Sequence, residues 1–270
     1  MKSRQYRSKV QKVLVAATCV ASLSAVASCS ADSQEAERVE RPVVVEAGHL
    51  QPVETNLGWQ VEVQSFRTGL ADLELTTEGE QHGSSSTVSE LLVPVAHAHP
   101  GHEAGGAVIG EMPGRFVVDW TEDGAAVGHA SMIVGEYTGA NFRFATAESG
   151  DGVDADDPLV GHSVHIAGVA RRGGDEIAFE AAIDQDPDRR VIGAPFEATV
   201  TADAEATLRL RAHLADPTEG DTLFDDIDFD ELAGADGGRV VLEPDTSAYN
   251  RLKRALQVHD HYSIVTSSET

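Results

Sequence analysis

Three imidazoles and a carboxylate fall within seven residues of the run Val95-Ala96-His97-Ala98-His99-Pro100-Gly101-His102-Glu103. If residues 95–99 are extended, alternate side chains share a side, so His97 and His99 point the same way. Pro100-Gly101 signals a turn, and a reversal there swings His102 and Glu103 back toward the first two. Neutral imidazoles converging on one point suit a borderline divalent ion such as Zn²⁺ or Cu²⁺. The alternative is a polar, partly protonated loop with no ligand. Candidates to complete a metal shell are His129, which follows Gly128, and the pair His162 and His165. The members of that pair lie three apart, so on a strand they face opposite ways, and they meet only if Gly161-His162 belongs to a turn. His259 and His261 are expected at the end of the last helix, where an imidazolium favours the dipole.

The donor set limits the metal by exclusion. The only cysteines are Cys19 and Cys29, and after the leader the only thioethers are Met112 and Met132, so a methionine-cluster Cu(I) carrier does not fit. Calcium competes through the acidic loops 149–157, 184–188 and 225–231. Asp184-Gln185-Asp186-Pro187-Asp188 has alternating carboxylates but lacks the sixth-position glycine and twelfth-position glutamate of an EF-hand loop. No H-E-x-x-H, phosphate-binding glycine loop or C-x-x-C is present, and Gly161-His162-Ser163 lacks the spacing of a nucleophile elbow. An enzyme is not expected.

The elements that must position these residues read as β-structure. Trp59, Val61 and Val63 alternate with Gln60, Glu62 and Gln64, the period of a half-buried strand. Leu70, Leu73 and Leu75 follow after a break at Gly69. Residues 116–120, 141–144, 164–169, 177–183, 196–200 and 207–211 continue the series. Arg172-Gly173-Gly174-Asp175 marks a hairpin. Turns recur about every ten residues, which favours an all-β sandwich over alternating α/β units. Helix is expected near the end, where Asp245 caps a run carrying Tyr249, Leu252, Leu256 and His259, and a shorter helix is possible over 223–232. Residues 42–270 are read as one β-sandwich domain with a C-terminal helix, packed at an edge or open end of the sandwich.

The first 28 residues read as a leader. Lys2, Arg4, Arg7, Lys9 and Lys12 precede an apolar and small-residue stretch, Val13 to Ala27, too short to span a bilayer comfortably. Val26-Ala27-Ser28-Cys29 resembles the bacterial lipobox, which implies cleavage before Cys29, lipidation of its thiol and a membrane anchor. Residues 29–41 then form a flexible tether. The mature chain contains no second cysteine and therefore no internal disulfide. Removing five basic and no acidic residues with positions 1–28 leaves 15 basic against 45 acidic, a balance of −30. Such a surface repels nucleic acid and gathers cations.

The segment 96–102 also resembles the histidine-rich stretches of exported zinc- and copper-handling proteins. Gly135 to Phe144, with Pro158-Leu159 and a later hairpin, is similar in arrangement to the MbnP-like domain, a family of periplasmic or lipid-anchored β-rich proteins, some of them copper binders beside a di-haem partner. Where that family has a tryptophan-rich stretch this chain has Gly161-His162-Ser163-Val164-His165, so the resemblance implies an exported metal-binding β-domain and no individual ligand. The expectation is a lipid-anchored extracytoplasmic protein binding Zn²⁺ or Cu²⁺ through His97, His99, His102 and Glu103, serving a metal transporter or haem protein. The competing expectation is a structural or adhesive surface lipoprotein that binds another protein and no metal.

Overall fold

The computed structural model describes residues 36–77, 106–233 and 239–268. Cys29, His97, His99, His102 and Glu103 lie outside them. The elements in chain order are β1 (Arg38–Val45), β2 (Val53–Glu54), β3 (Gln60–Thr76), β4 (Val108–Asp119), β5 (Ala126–Ile133), β6 (Gly135–Phe144), β7 (Val164–Arg172), β8 (Asp175–Ile183), β9 (Arg190–Val200), β10 (Ala206–Ala212), α1 (Phe229–Ala233), β11 (Val240–Val241), α2 (Ser247–Ala255) and β12 (Tyr262–Ser268). No helix among the described residues is long and apolar enough to cross a membrane.

The all-β expectation holds: one sheet curls back on itself so that its inner faces share a core in a sandwich-like manner. The order β3-β4-β5-β1-β10-β12-β9-β6 closes because β6 also pairs with β3. The strands β7, β8 and β11 extend from the remaining edge of β3. Tyr262 on β12 lies four places round this ring from β4 and reaches across it. Its ring sits 5.8 Å from that of Trp120, 5.1 Å from Phe142 and 6.3 Å from Phe144. Tyr262, Trp120, Phe142 and Leu70 line a gap of only about 20 Å³, roughly the room one water needs. The inside of the ring is filled by side chains rather than shaped for a small molecule.

β3 organises the whole sheet. On one edge it pairs with β4 from Arg67 to Thr76, while its other edge is shared between β7, over Gln60–Thr68, and β6, over Leu70–Thr76. Gly69 stands at this fork. Its N–H donates to the Ser163 carbonyl and its own carbonyl accepts from Ala145 N, each at 2.9 Å. The expected break at Gly69 is therefore not a strand end. The glycine lets three backbones approach, and a Cβ there would lie 2.3 Å from the Ala145 carbonyl oxygen. Gly69→Ala is expected to destabilise by roughly 2–3 kcal/mol, read as a lower urea midpoint at unchanged slope. A wild-type midpoint would show that the fork can spread at no cost.

Alternation survives along β3 only because bulges reset it. Trp59 and Val61 are buried, the register slips between Val63 and Ser65, and burial then resumes at Phe66, Thr68 and Leu70. A second irregularity at Asp72 (φ +52°) lets both Leu70 and Leu73 face inward. The Gly173–Gly174 hairpin forms as expected, with both glycines at positive φ (+63° and +106°).

Three expectations need correction. β1 begins at Arg38, inside the segment read as tether, because backbone pairing with β5 runs out to Arg38↔Ile133 beyond the last apolar alternation. The cap of α2 is Thr246, whose side chain accepts from Tyr249 N, and not Asp245. Asp245 has φ +67°, incompatible with the extended backbone of an N-cap. The helix also stops at Ala255, so His259 and His261 sit in a separate 3₁₀ turn and not at its C-terminus.

Candidate metal centre

Strand pairing fixes where the histidine-rich run is attached. Thr76 pairs with Val108, Thr77 N donates to Ala107 O at 3.1 Å, and Ala107 N donates to Thr77 Oγ1 at 3.2 Å. Thr138 Oγ1 donates to Thr77 O at 2.8 Å, tying the same point to β6. The chain thus leaves β3 and re-enters β4 at one clamped position, and residues 97–103 lie between.

His129 stands exposed on the outer side of β5 opposite Pro42. Gly110 pairs with Met132, so His129 is about six residue steps, or ~20 Å, along the strands from Ala107. His165 pairs with Arg67, ten residues before Thr77, which is about 33 Å down β3. His102 is five positions before Ala107 in the chain, limiting its reach from that clamp to ~18 Å. His129 is therefore nearer to that clamp along the sheet than His165 is.

His162 and His165 do occupy a turn and a strand respectively, and each has a carboxylate of its own. Gly161 takes φ +91° and releases His162 from the strand direction. Its Nδ1 lies 2.8 Å from Asp184 Oδ1. His165 is buried on β7, with Nε2 2.8 Å from Glu180 Oε1 on the diagonal position of β8. Arg239 holds the other oxygen of Glu180. Burial, and then the nearby Arg67, push the His165 pKa below the ordinary imidazole value, so the ring is neutral at pH 7. Its Nδ1 is buried without a hydrogen-bond partner. A carboxylate on one imidazole nitrogen is the usual outer support of a metal-bound histidine, but the two rings are not brought onto one point. Among the described residues, no group of three or more His, Cys, Asp or Glu side chains is arranged to hold an ion.

The acidic loops spend their carboxylates on arginines and backbone. Asp157 pairs with Arg67 and accepts from Leu159 N, and Asp151 pairs with Arg115 and accepts from Glu148 N. Asp186 accepts from Asp188 N. The Ser163 hydroxyl donates to Ile183 O and accepts from Gln185 N, a structural role. Both Met112 and Met132 are in the core.

The sequence reading missed one histidine cluster. Parallel pairing of β1 with β10 aligns Val45 with Leu210, and antiparallel pairing of β10 with β12 aligns Ala212 with Tyr262. His49, just past β1, therefore meets His213, just past β10, with ring centres 5.2 Å apart. His261 Nδ1 lies 3.0 Å from His213 O, and His213 Nε2 lies 2.8 Å from Ser263 Oγ. Glu46 Oε1 lies 3.3 Å from His49 Nε2 and 2.7 Å from Arg211 Nη2. Burial, reinforced by His49 and Arg211, lowers the His213 pKa to about 4, and burial also lowers that of His261. Burial opposes the charge on Glu46, but the Arg211 hydrogen bond and charge outweigh it and the pKa falls. His49 and His213 are 164 residues apart in the chain, and no local pattern links them.

Comparison with known protein families, with characterised proteins and with solved structures finds no match to this chain.

Proposed function

We propose that this chain is an exported, lipid-anchored β-protein that binds Zn²⁺ or Cu²⁺ and passes it to, or takes it from, a membrane transporter or a haem protein. The observation that supports this reading most is the attachment of the histidine-rich run. His97, His99, His102 and Glu103 lie between two chain ends that hydrogen bonds fix side by side at Thr77 and Ala107. Clamped ends reduce the entropy lost when the intervening donors close on an ion. The excess of acidic residues adds a field that concentrates cations near the surface.

The test is calorimetric titration of the chelator-stripped full chain with each metal. Replacing His97, His99 and His102 together by alanine is expected to weaken binding by on the order of 100-fold or more. Unchanged affinity would remove this segment as the site. Lipidation at Cys29 is checked by the mass of the N-terminal peptide from membrane-extracted protein.

A specific observation favours the second reading, a surface lipoprotein that binds protein and no metal. Of the described histidines, His49, His162, His165, His213, His259 and His261 already have protein partners. Elemental analysis of untagged protein separates the two: a stoichiometric transition metal supports the first, and none supports the second.

A further inference from the structure

Two arginines stand directly opposite each other where β6 pairs with β9, at Arg143↔Arg190. Like charges so placed repel, and the fold answers them with carboxylates from β3. Arg143 donates to Asp72 Oδ2 through Nε at 2.8 Å and Nη2 at 2.6 Å. Arg190 pairs through Nη2 with Glu74 Oε2. Asp72 Oδ1 accepts from Gly114 N at 2.9 Å. These four side chains, with Pro187 and Asp188 from the turn before β9, line an open recess of about 340 Å³. That volume lies within the range of small-ligand pockets, roughly 300–1,000 Å³, whereas the interior of the closed sheet is filled.

The internal pairs leave both donors and acceptors unspent in this recess. A guanidinium carries five N–H groups. Among the described residues, Arg143 keeps Nη1 free, and Arg190 keeps Nε and Nη1. Glu74 keeps Oε1. Asp188 is exposed, and among the described residues only its backbone N–H is engaged, with Asp186. Three carboxylates against two guanidiniums leave the lining with one net negative charge.

Strand register sets the order of these charges. Arg143 and Arg190 share a row with Ala71 of β3. Glu74 lies beyond that row on β3, level with Asn141, and Asp188 lies two residues before the row on the opposite side. Guanidinium N–H groups thus occupy the centre, with an acceptor for a cation at either end. A lone anion meets a lining of net negative charge. A lone cation leaves the arginines unanswered. A ligand carrying one carboxylate and two cationic groups satisfies both ends and the centre, and leaves the filled recess neutral.

We propose that this recess binds a free α-amino acid with a cationic side chain, such as L-lysine or L-arginine. The ligand carboxylate accepts from the free N–H groups of Arg143 and Arg190, in the fork geometry that suits a planar anion. The α-ammonium donates to Asp188 and the side-chain cation to Glu74 Oε1. The acidic excess of the chain draws a ligand of net positive charge toward the surface. The site uses no metal and no residue of the 97–103 segment, so it stands independently of the reading given above.

The experiment is calorimetric titration of the full chain, with chelator present, using L-lysine and L-arginine as probes. One saturable equivalent is expected for each. Acetate, n-butylammonium and L-norleucine, which lacks the side-chain cation, are each expected to bind about tenfold or more weakly, the fold-change for losing one hydrogen bond to a charged group. Asp188→Asn and Arg143→Gln are expected to weaken L-lysine by a similar factor. Asp188 is exposed and its carboxylate holds no other part of the described fold, so its variant gives a readout even if Arg143→Gln folds poorly, which thermal melts identify. The proposal is overturned if neither basic amino acid gives saturable binding at millimolar concentration, or if Asp188→Asn binds L-lysine as the wild type does. It is equally overturned if n-butylammonium binds as well as L-lysine, which would mark a diffuse cation atmosphere, or if L-norleucine does, which would remove the side-chain cation from recognition.

Discussion

Tyr262→Ala is expected to lower folding free energy by about 3–5 kcal/mol, the range for deleting a large ring from a filled core. Tyr262 is 3% exposed and packs on Phe142 and Phe144, two strands away on β6, and on Trp120 across the closed sheet. Its hydroxyl donates to the Leu256 carbonyl at 3.0 Å, joining β12 to the end of α2. The surrounding gap is already only about 20 Å³, and neighbouring strands closed into a ring have little freedom to collapse into a larger one. Tyr262→Phe separates the two contributions. It keeps the ring and leaves the Leu256 carbonyl unpaired, a loss of about 1–3 kcal/mol. Urea unfolding of both variants measures the difference. An alanine variant as stable as the phenylalanine one would show that the ring contacts across the sheet contribute nothing.

Acidification from pH 6.5 toward pH 4 is expected to destabilise the fold well before carboxylates titrate. In the unfolded chain, His165, His213 and His261 take up protons near pH 6.5. In the folded chain all three resist protonation because burial opposes the charged ring, His213 down to about pH 4. The unfolded state therefore binds more protons across this window, and stability falls as pH falls. The slope is at most about 1.4 kcal/mol per pH unit for each histidine, and less for His213, which retains some solvent. The groups facing His213 are His49, Arg211, His261 and Asp216; of these only Asp216 opposes the shift. Below the window the sign is the same. Asp72, held down by the Gly114 N–H and then by Arg143, and Glu46, held down by Arg211 against burial, both lose stabilisation as they protonate. Urea midpoints at pH 7.5, 6.0 and 5.0 in the presence of chelator check this. His213→Gln is expected to flatten part of the slope, and a midpoint that does not move between pH 7.5 and 5.0 would contradict burial of these rings in neutral form.

The two experiments bear on different levels of the molecule. The first asks whether the interior closes around one tyrosine. The second asks whether histidines packed for structural reasons govern the pH response.

The alternation of Trp59 and Val61, the paired runs 164–169 and 177–183, and the Gly173-Gly174 turn were readable because each depends on neighbours within a few residues. The helix near the end was readable in its apolar spacing, but its cap was displaced by one residue, since Asp245 takes a positive φ that no local pattern announces. Gly69 looked like a break because glycine interrupts an apolar pattern. Its role as a fork appears only when Ala145 and Ser163 are brought to it. The bulges near Ser65 and Asp72 likewise shift which face is buried, and no period-two reading can follow a strand through such a slip.

By itself the sequence determined the all-β character, the hairpin, the concentration of histidines at 97–102, the acidic balance and the lack of any cysteine after Cys29. These follow from residue type and short spacing. The tertiary structure alone decided that β3 and β6 close the sheet, that His162 and His165 each turn to a separate carboxylate, and that His49 and His213 meet. Strand pairing is made by backbone groups that every residue carries, so partners far apart in the chain leave no local mark. Only the burial of a shared core selects which strands meet, and with them which side chains can act together.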